Sequence, residues 1–151
     1  MNRKPFKALV VLLAGLAAAP AFAATQADES AVLAPVHAMF AGMAKYDQAA
    51  MRATVQPEGS VALLRDGQVK RMTLGEFVDH VKPGKGSIEE RIHDPLVRID
   101  GDLAMVWAPY EFLVDGKVHH CGSDLIHLVR TQGNWVIAGI ADNSRTDCPA
   151  R

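Results

Sequence analysis

The chain lacks most of the short motifs from which an activity is usually read. No cysteines stand as C-x-x-C and no histidines as H-x-x-x-H, and there is no phosphate loop, dinucleotide fingerprint or G-x-S-x-G nucleophile turn. Neither a metal nor a cofactor is therefore expected. Charge of one sign is also lacking: 16 basic residues stand against 17 acidic ones, which gives nucleic acid no basic surface to bind. Aromatic residues are only 6% of the chain, and internal repeats and low-complexity runs are absent. Cysteine is scarce, with Cys121 and Cys148 alone.

What is present begins with an export pattern. Arg3, Lys4 and Lys7 precede an apolar run from Ala8 to Ala19, and Ala21-Phe22-Ala23 supplies small residues where a signal peptidase reads. The run is about 18 Å long as a helix, too short for a hydrocarbon layer of about 30 Å. Cleavage is expected after Ala23, with an uncleaved anchor as the alternative. Residues 1–23 are then a signal peptide and 24–151 one domain, periplasmic or secreted and with no membrane span. Losing three cations leaves 13 basic against 17 acidic residues, a net charge of −4. In an oxidising compartment two cysteines read first as a disulfide, Cys121–Cys148, and otherwise as two free thiols.

From Ser30, Val32, Leu33, Val36, Met39, Phe40 and Met43 recur at helical spacing. Asp28, Glu29 or Ser30 starts this helix and Lys45-Tyr46 ends it. Asp47 then caps a short helix from Gln48 to Thr54, closed by Gln56-Pro57-Glu58-Gly59. Ser60 to Leu64 and Val69 to Met72 read as strand around an Asp66-Gly67 turn. Thr73 and Glu76 have capping-box spacing ahead of a third helix that stops by Lys82-Pro83-Gly84. Turn signals at Asp100-Gly101-Asp102, Asp115-Gly116-Lys117 and Gln132-Gly133-Asn134 divide the remainder into four strands: Ser87 to Ile99, Leu103 to Val114, Val118 to Arg130 and Trp135 to Ala141. Such long strands form a strongly curved antiparallel meander. The expected class is α+β, three helices packed on a curved antiparallel sheet around a conical cavity.

This order of elements from Ser30 to Asn143 resembles the nuclear transport factor 2-like superfamily, which includes ketosteroid isomerases, scytalone dehydratase and polyketide cyclases. Asp100 to Phe112, His120-Cys121-Gly122-Ser123-Asp124 through Leu128-Val129-Arg130, and Gly133-Asn134-Trp135-Val136-Ile137 carry the likeness. It is greatest for small exported members of lumazine-binding type. The resemblance implies a cone-shaped α+β barrel and a pocket; a fold by itself fixes no activity.

Alternation places His120 and Asp124 on the inward face of their strand with Ile126 and Leu128, and Tyr110 and Phe112 on the inward face of the preceding one. An apolar wall with a few polar groups is the usual small-molecule site. The candidate ligand contacts are therefore Tyr46, Tyr110, Phe112, His120 and Asp124, and His120 and Asp124 are the candidate catalytic groups. His120 and Asp124, four residues apart on one strand, are separated by about 13 Å and cannot form a catalytic pair directly. The bland alternative leaves both satisfied within the core, and a β-bulge would reverse the facing. Glu89, Glu90, Arg91 and His93 make the most polar strand; a carboxylate near a histidine there would be a natural acid and base, and the bland alternative is cross-strand ion pairs on the outer face. Tyr46-Asp47 occupies the joint where scytalone dehydratase-like relatives place site residues, although capping accounts for Asp47 alone. The complete acid set of a ketosteroid isomerase cannot be assigned. His119 and His120, adjacent in a regular strand, point to opposite faces and cannot share a metal.

If Arg130 faces Trp135, the register places Cys121 opposite Ser144, with Cys148 within reach. Three functions follow. The first is an exported binder of a small apolar or aromatic ligand, with pairing of two copies through the outer sheet face as an added expectation. The second is a lyase, isomerase or cyclase acting by proton transfer, with His120 or Asp124 as base and Tyr110 as donor. The third is a structural periplasmic subunit with a filled cavity.

Overall fold

The computed structural model describes residues 25–149; the export pattern lies outside them. Helix α1 (Gln26–Ala44) starts earlier than expected because Thr25 and Asp28 form a reciprocal capping box. The Asp28 carboxylate accepts from Thr25 N at 3.0 Å, and Thr25 Oγ1 accepts from Asp28 N at 3.2 Å. Its apolar face buries Val32, Val36, Met39, Phe40 and Met43. Helix α2 (Gln48–Arg52) is shorter than its apolar pattern suggested. Gly42 permits its approach, since a Cβ there would stand 2.9 Å from the Met51 side chain.

Strand β1 (Val55–Arg65) begins five residues before Ser60, so the Gln56-Pro57-Glu58-Gly59 segment is strand rather than a closing loop. It carries a register shift between Val55 and Ser60, where Pro57 cannot donate to a ladder. Strand β2 (Gln68–Thr73) returns beside it, and α3 (Leu74–His80) follows under the Thr73–Glu76 capping box. The expected strand from Ser87 to Ile99 is two strands, β3 (Ile88–Ile92) and β4 (Leu96–Asp100). Pro95 has no N–H for the ladder, and Asp94 turns the chain with φ 42°. Both pieces pair with β5 (Leu103–Val114), which leads to β6 (Lys117–Thr131) and β7 (Asn134–Arg145).

The sheet order is β2-β1-β7-β6-β5-β3, with β4 also on β5. Every pair is antiparallel except β1 with β7, so the expected all-antiparallel sheet contains one parallel pair. That pair arises because the last strand inserts between β1 and β6. The sheet is curved and does not close. One helix is long and two are short, and their apolar sides meet its inner face. Met39, Met51, Leu74, Val78, Val106, Ile126, Leu128 and Ile137 are fully buried there. Burial of each such side chain stabilises by about 1.5–3 kcal/mol.

Arg130 does face Trp135, but a bulge between His127 and Leu128 shifts the register by one. Cys121 therefore faces Arg145, not Ser144. Cys121 and Cys148 are disulfide-bonded, with Cα atoms 5.8 Å apart. The bridge fastens the segment beyond β7 to β6.

Candidate functional site

The interior is not packed solid. A cavity of about 410 Å³ lies between the helices and the sheet. Met39, Phe40 and Met43 of α1, Phe77 of α3, Leu63 of β1 and Ile88 of β3 supply apolar walls. Tyr46, Phe112, His120 and Asp124 also line it.

The polar groups form one row across the sheet. Leu63, Asp142 and Asp124 are successive cross-strand partners on β1, β7 and β6, followed by Ala108 on β5. Arg65, two residues beyond Leu63, binds Asp142 through both oxygens, at 2.6 and 2.7 Å. Such a fork is the strong form of a carboxylate contact. Asp124 is 3% exposed, and its Oδ2 is buried without a protein partner. Glu90 of β3 lines the same cavity, and its carboxyl and that of Asp124 each influence the other's titration. Two neighbouring carboxyls repel one another when both are ionised, which favours keeping a proton on the pair.

Burial is the first cause of that proton's retention, and the neighbouring carboxylates add to it. The Asp124 carboxyl is raised to about 7 by desolvation and then by Asp142, against the lowering effects of Glu90 and Arg65. Glu90 is held well above the ordinary carboxylate range by burial, then by Asp124. Tyr110, 1% exposed, donates to Asn143 O at 3.0 Å and reaches Asp142 Oδ2 at 3.4 Å. Burial, followed by Asp142, raises its hydroxyl, which stays protonated. Gly122 makes room for it, since a Cβ would stand 2.7 Å from the Tyr110 ring and 1.9 Å from Asn143 O.

His120 stacks on Phe112 with centroids 4.8 Å apart and meets Tyr110 edge-on at 5.8 Å. Burial and the neighbouring His119 lower its pKa, so it is neutral near pH 7. The expectation that His119 and His120 diverge fails because a bulge opposite Phe112 and Leu113 interrupts the ladder. Their Nδ1 atoms lie 3.0 Å apart. Among the described residues no third His, Cys, Asp or Glu joins them as a metal set.

Tyr46 donates to Gly86 O at 2.7 Å, which ties the end of α1 to the loop before β3. Asp47 caps α2, accepting from Ala50 N at 2.9 Å. Glu89 and Arg91 are an exposed pair along a single strand, at 2.7 Å, rather than across strands. The cross-strand contact of this region is His93 with Glu111, at 3.2 Å.

The structure places Phe112, His120 and Asp124 on the cavity, whereas Tyr110 is not among its lining residues and packs against His120 and Asp142. The cavity adds three groups not expected there from the sequence: Glu90, Asp142 and Arg65. Alternation between Ile88 and Ile92 would have turned Glu90 inward. The strand expected to end at Ala141 runs on to Arg145 and so carries Asp142 to the cavity.

Residues 27–139 match the model of the family described as "Putative lumazine-binding". No curated protein matches the sequence significantly. Many solved structures share the fold. An NTF2-like protein from Shewanella baltica OS155 has 15% identity and a TM-score of 0.64, over 85% of this chain and all of that one. Another, from Cytophaga hutchinsonii, has 14% identity and a TM-score of 0.66, over 81% and 100%. A "putative dehydratase" of the NTF2-like family from Streptomyces avermitilis has 18% identity and a TM-score of 0.64, over 79% and 96%. At these identities the likeness is one of fold.

Proposed function

The chain belongs to the family described as "Putative lumazine-binding", within the NTF2-like superfamily, and from that premise we propose that it is an exported protein that binds a small apolar or aromatic molecule. The observation that carries the reading is the cavity of about 410 Å³, apolar on most sides and polar at one floor. This is the ordinary composition of a small-molecule site. Export is supported by the basic start, the apolar run and the Ala21-Phe22-Ala23 box. The Cys121–Cys148 bridge is compatible with an oxidising compartment. A thermal-shift screen with planar one- and two-ring compounds tests the binding. The proposal expects hits that raise the melting temperature of the wild type and lose their effect in Leu63→Trp, which fills the cavity. An absence of hits in the wild type contradicts it.

The Glu90–Asp124 pair favours a second reading, proton transfer within the same cavity. A carboxyl lifted to about 7 is poised for general acid–base work near neutrality. On this reading the base is Asp124 with Glu90, and His120 packs as a wall, since no carboxylate orients its ring. Loss of turnover in Asp124→Asn with retained binding separates enzyme from binder.

Pairing of two copies through the outer sheet face is also proposed. Leu96, Trp107 and Leu125 are cross-strand neighbours on β4, β5 and β6, exposed by 45%, 43% and 38%. They make an apolar stripe of the kind interfaces cover.

A further inference from the structure

The floor of the cavity has three carboxyls and one guanidinium. Arg65 is committed to Asp142 through both of its oxygens. Glu90 and Asp124 are left without a cation, although both line the cavity and Asp124 Oδ2 is buried with no protein partner. A carboxyl pair of which one member, Asp124, is buried has two remedies: it keeps a proton, or it receives a positive charge from outside. Burial favours the first, and the cavity in front of the pair leaves room for the second.

We propose that the ligand of this cavity carries a planar cationic N–H donor group, of the amidine or aminopyrimidine class, which seats on the Glu90–Asp124 pair and displaces the proton held there. The inference rests on the reading of the cavity as a small-molecule site and names the chemistry that site selects. Two parallel N–H donors match two carboxylate oxygens as a fork does, and the charge is neutralised where water is excluded. The ring bearing the group lies against Met39, Met43, Phe77 and Phe112. The proton balance is simple. A cationic guest binds the ionised pair, so the proton that it displaces passes to the solvent.

The groups that face Asp124 support a cationic guest over an anionic one. They are Glu90 from β3, Asp142 from β7 and Arg65 from β1, with His120 further along β6 on the same cavity and Tyr110 of β5 against His120 and Asp142. Tyr46 after α1, His80 at the end of α3 and Lys82 beyond it complete the wall. Arg65 is neutralised by Asp142, His120 is neutral, and Lys82 is exposed to solvent. A carboxylate ligand at the floor would meet Glu90 and Asp124 with no free cation beside them.

Titration calorimetry of the protein with 2-naphthamidine, 2-naphthamide and 2-naphthoate tests this, in buffers of different ionisation enthalpy from pH 5 to 8. Naphthamidine should bind at least about tenfold more tightly than naphthoate at pH 8 and release close to one proton at pH 6. Its affinity should rise up to about tenfold per pH unit below pH 7 and then level. Asp124→Asn and, separately, Glu90→Gln should abolish the proton release and weaken naphthamidine binding at least about tenfold; two variants guard against one that fails to fold. Naphthoate binding as tightly as naphthamidine would overturn the inference while the cavity still bound ligands. So would naphthamidine binding without proton release. If none of the three probes binds, the small-molecule reading falls and the inference falls with it.

Discussion

Asp124 and Asp142 stand directly opposite one another on adjacent strands, β6 and β7, and both line the same cavity. Like charges so placed destabilise a sheet. The protein resolves the conflict in two different ways: Asp142 takes a guanidinium fork from Arg65, and the Asp124 carboxyl, raised by burial, holds its proton to higher pH. The result is a floor with one satisfied ion pair and one unsatisfied acid pair. That asymmetry makes the site chemically selective.

Stability should fall as pH rises toward neutrality. The Asp124 carboxyl is raised from 3.8 to about 7 in the folded chain, so the folded state binds its proton more tightly than the unfolded state does. The stabilisation is fully present below about pH 4 and is lost as pH rises through about 7, with a slope of at most about 1.4 kcal/mol per pH unit for one proton. Urea melts at pH 5, 6, 7 and 8 measure it. Asp124→Asn should flatten the decline, and an unchanged slope in that variant contradicts the assignment.

Removing the partner of Asp142 should be costly. Arg65→Met leaves a carboxylate that is 10% exposed facing Asp124, and a loss of about 1–3 kcal/mol is expected, reduced from the fully buried case because Arg65 is itself partly exposed. Adding Asp142→Leu should recover most of that loss. Additive effects in a double-mutant cycle would show that the two side chains are not coupled.

The bridge should matter to the whole chain and not only to its end. Cys121 and Cys148 are 27 apart in sequence, and a loop of that size is worth about 3–4 kcal/mol in the chain-entropy model. Cys148→Ser should lower stability by about that amount, and thiol titration of the denatured, unreduced protein should find no free sulfhydryl. Two free thiols would contradict the bridge.

The outer stripe gives a prediction about assembly. Sedimentation of the wild type should show a dimer, and Trp107→Asp, which places a charge between Leu96 and Leu125, should shift it to monomer. A monomeric wild type at micromolar concentration contradicts the proposed pairing.

The fold was legible because its determinants are local. Apolar spacing from Val32 to Met43 marks α1, Thr73 with Glu76 marks α3, and the Gly-containing turns with positive φ at Gly101, Gly116 and Gly133 separate the long strands. Alternation also placed Asp124 and Tyr110 inward. What escaped depends on distant neighbours. Whether the final strand stops at Ala141 or runs to Arg145 is decided by its pairing with β1 and β6, and with those four residues went Asp142. The polar run Glu89-Glu90-Arg91 reads as one surface patch. The strand splits it, with Glu89 and Arg91 paired outside and Glu90 turned to the cavity. The bulges at His119 and Ala138 leave no mark in composition, and each changes a register or a facing that regular geometry predicts.

The central claim is that the cavity of about 410 Å³ is a binding site for small planar molecules. Calorimetric titration of 2-naphthol into the wild type and into Leu63→Trp tests it most directly. The account predicts saturable one-to-one binding to the wild type and at least a tenfold weaker response in the filled variant. Equal binding by the two proteins, or no binding by either, would contradict it.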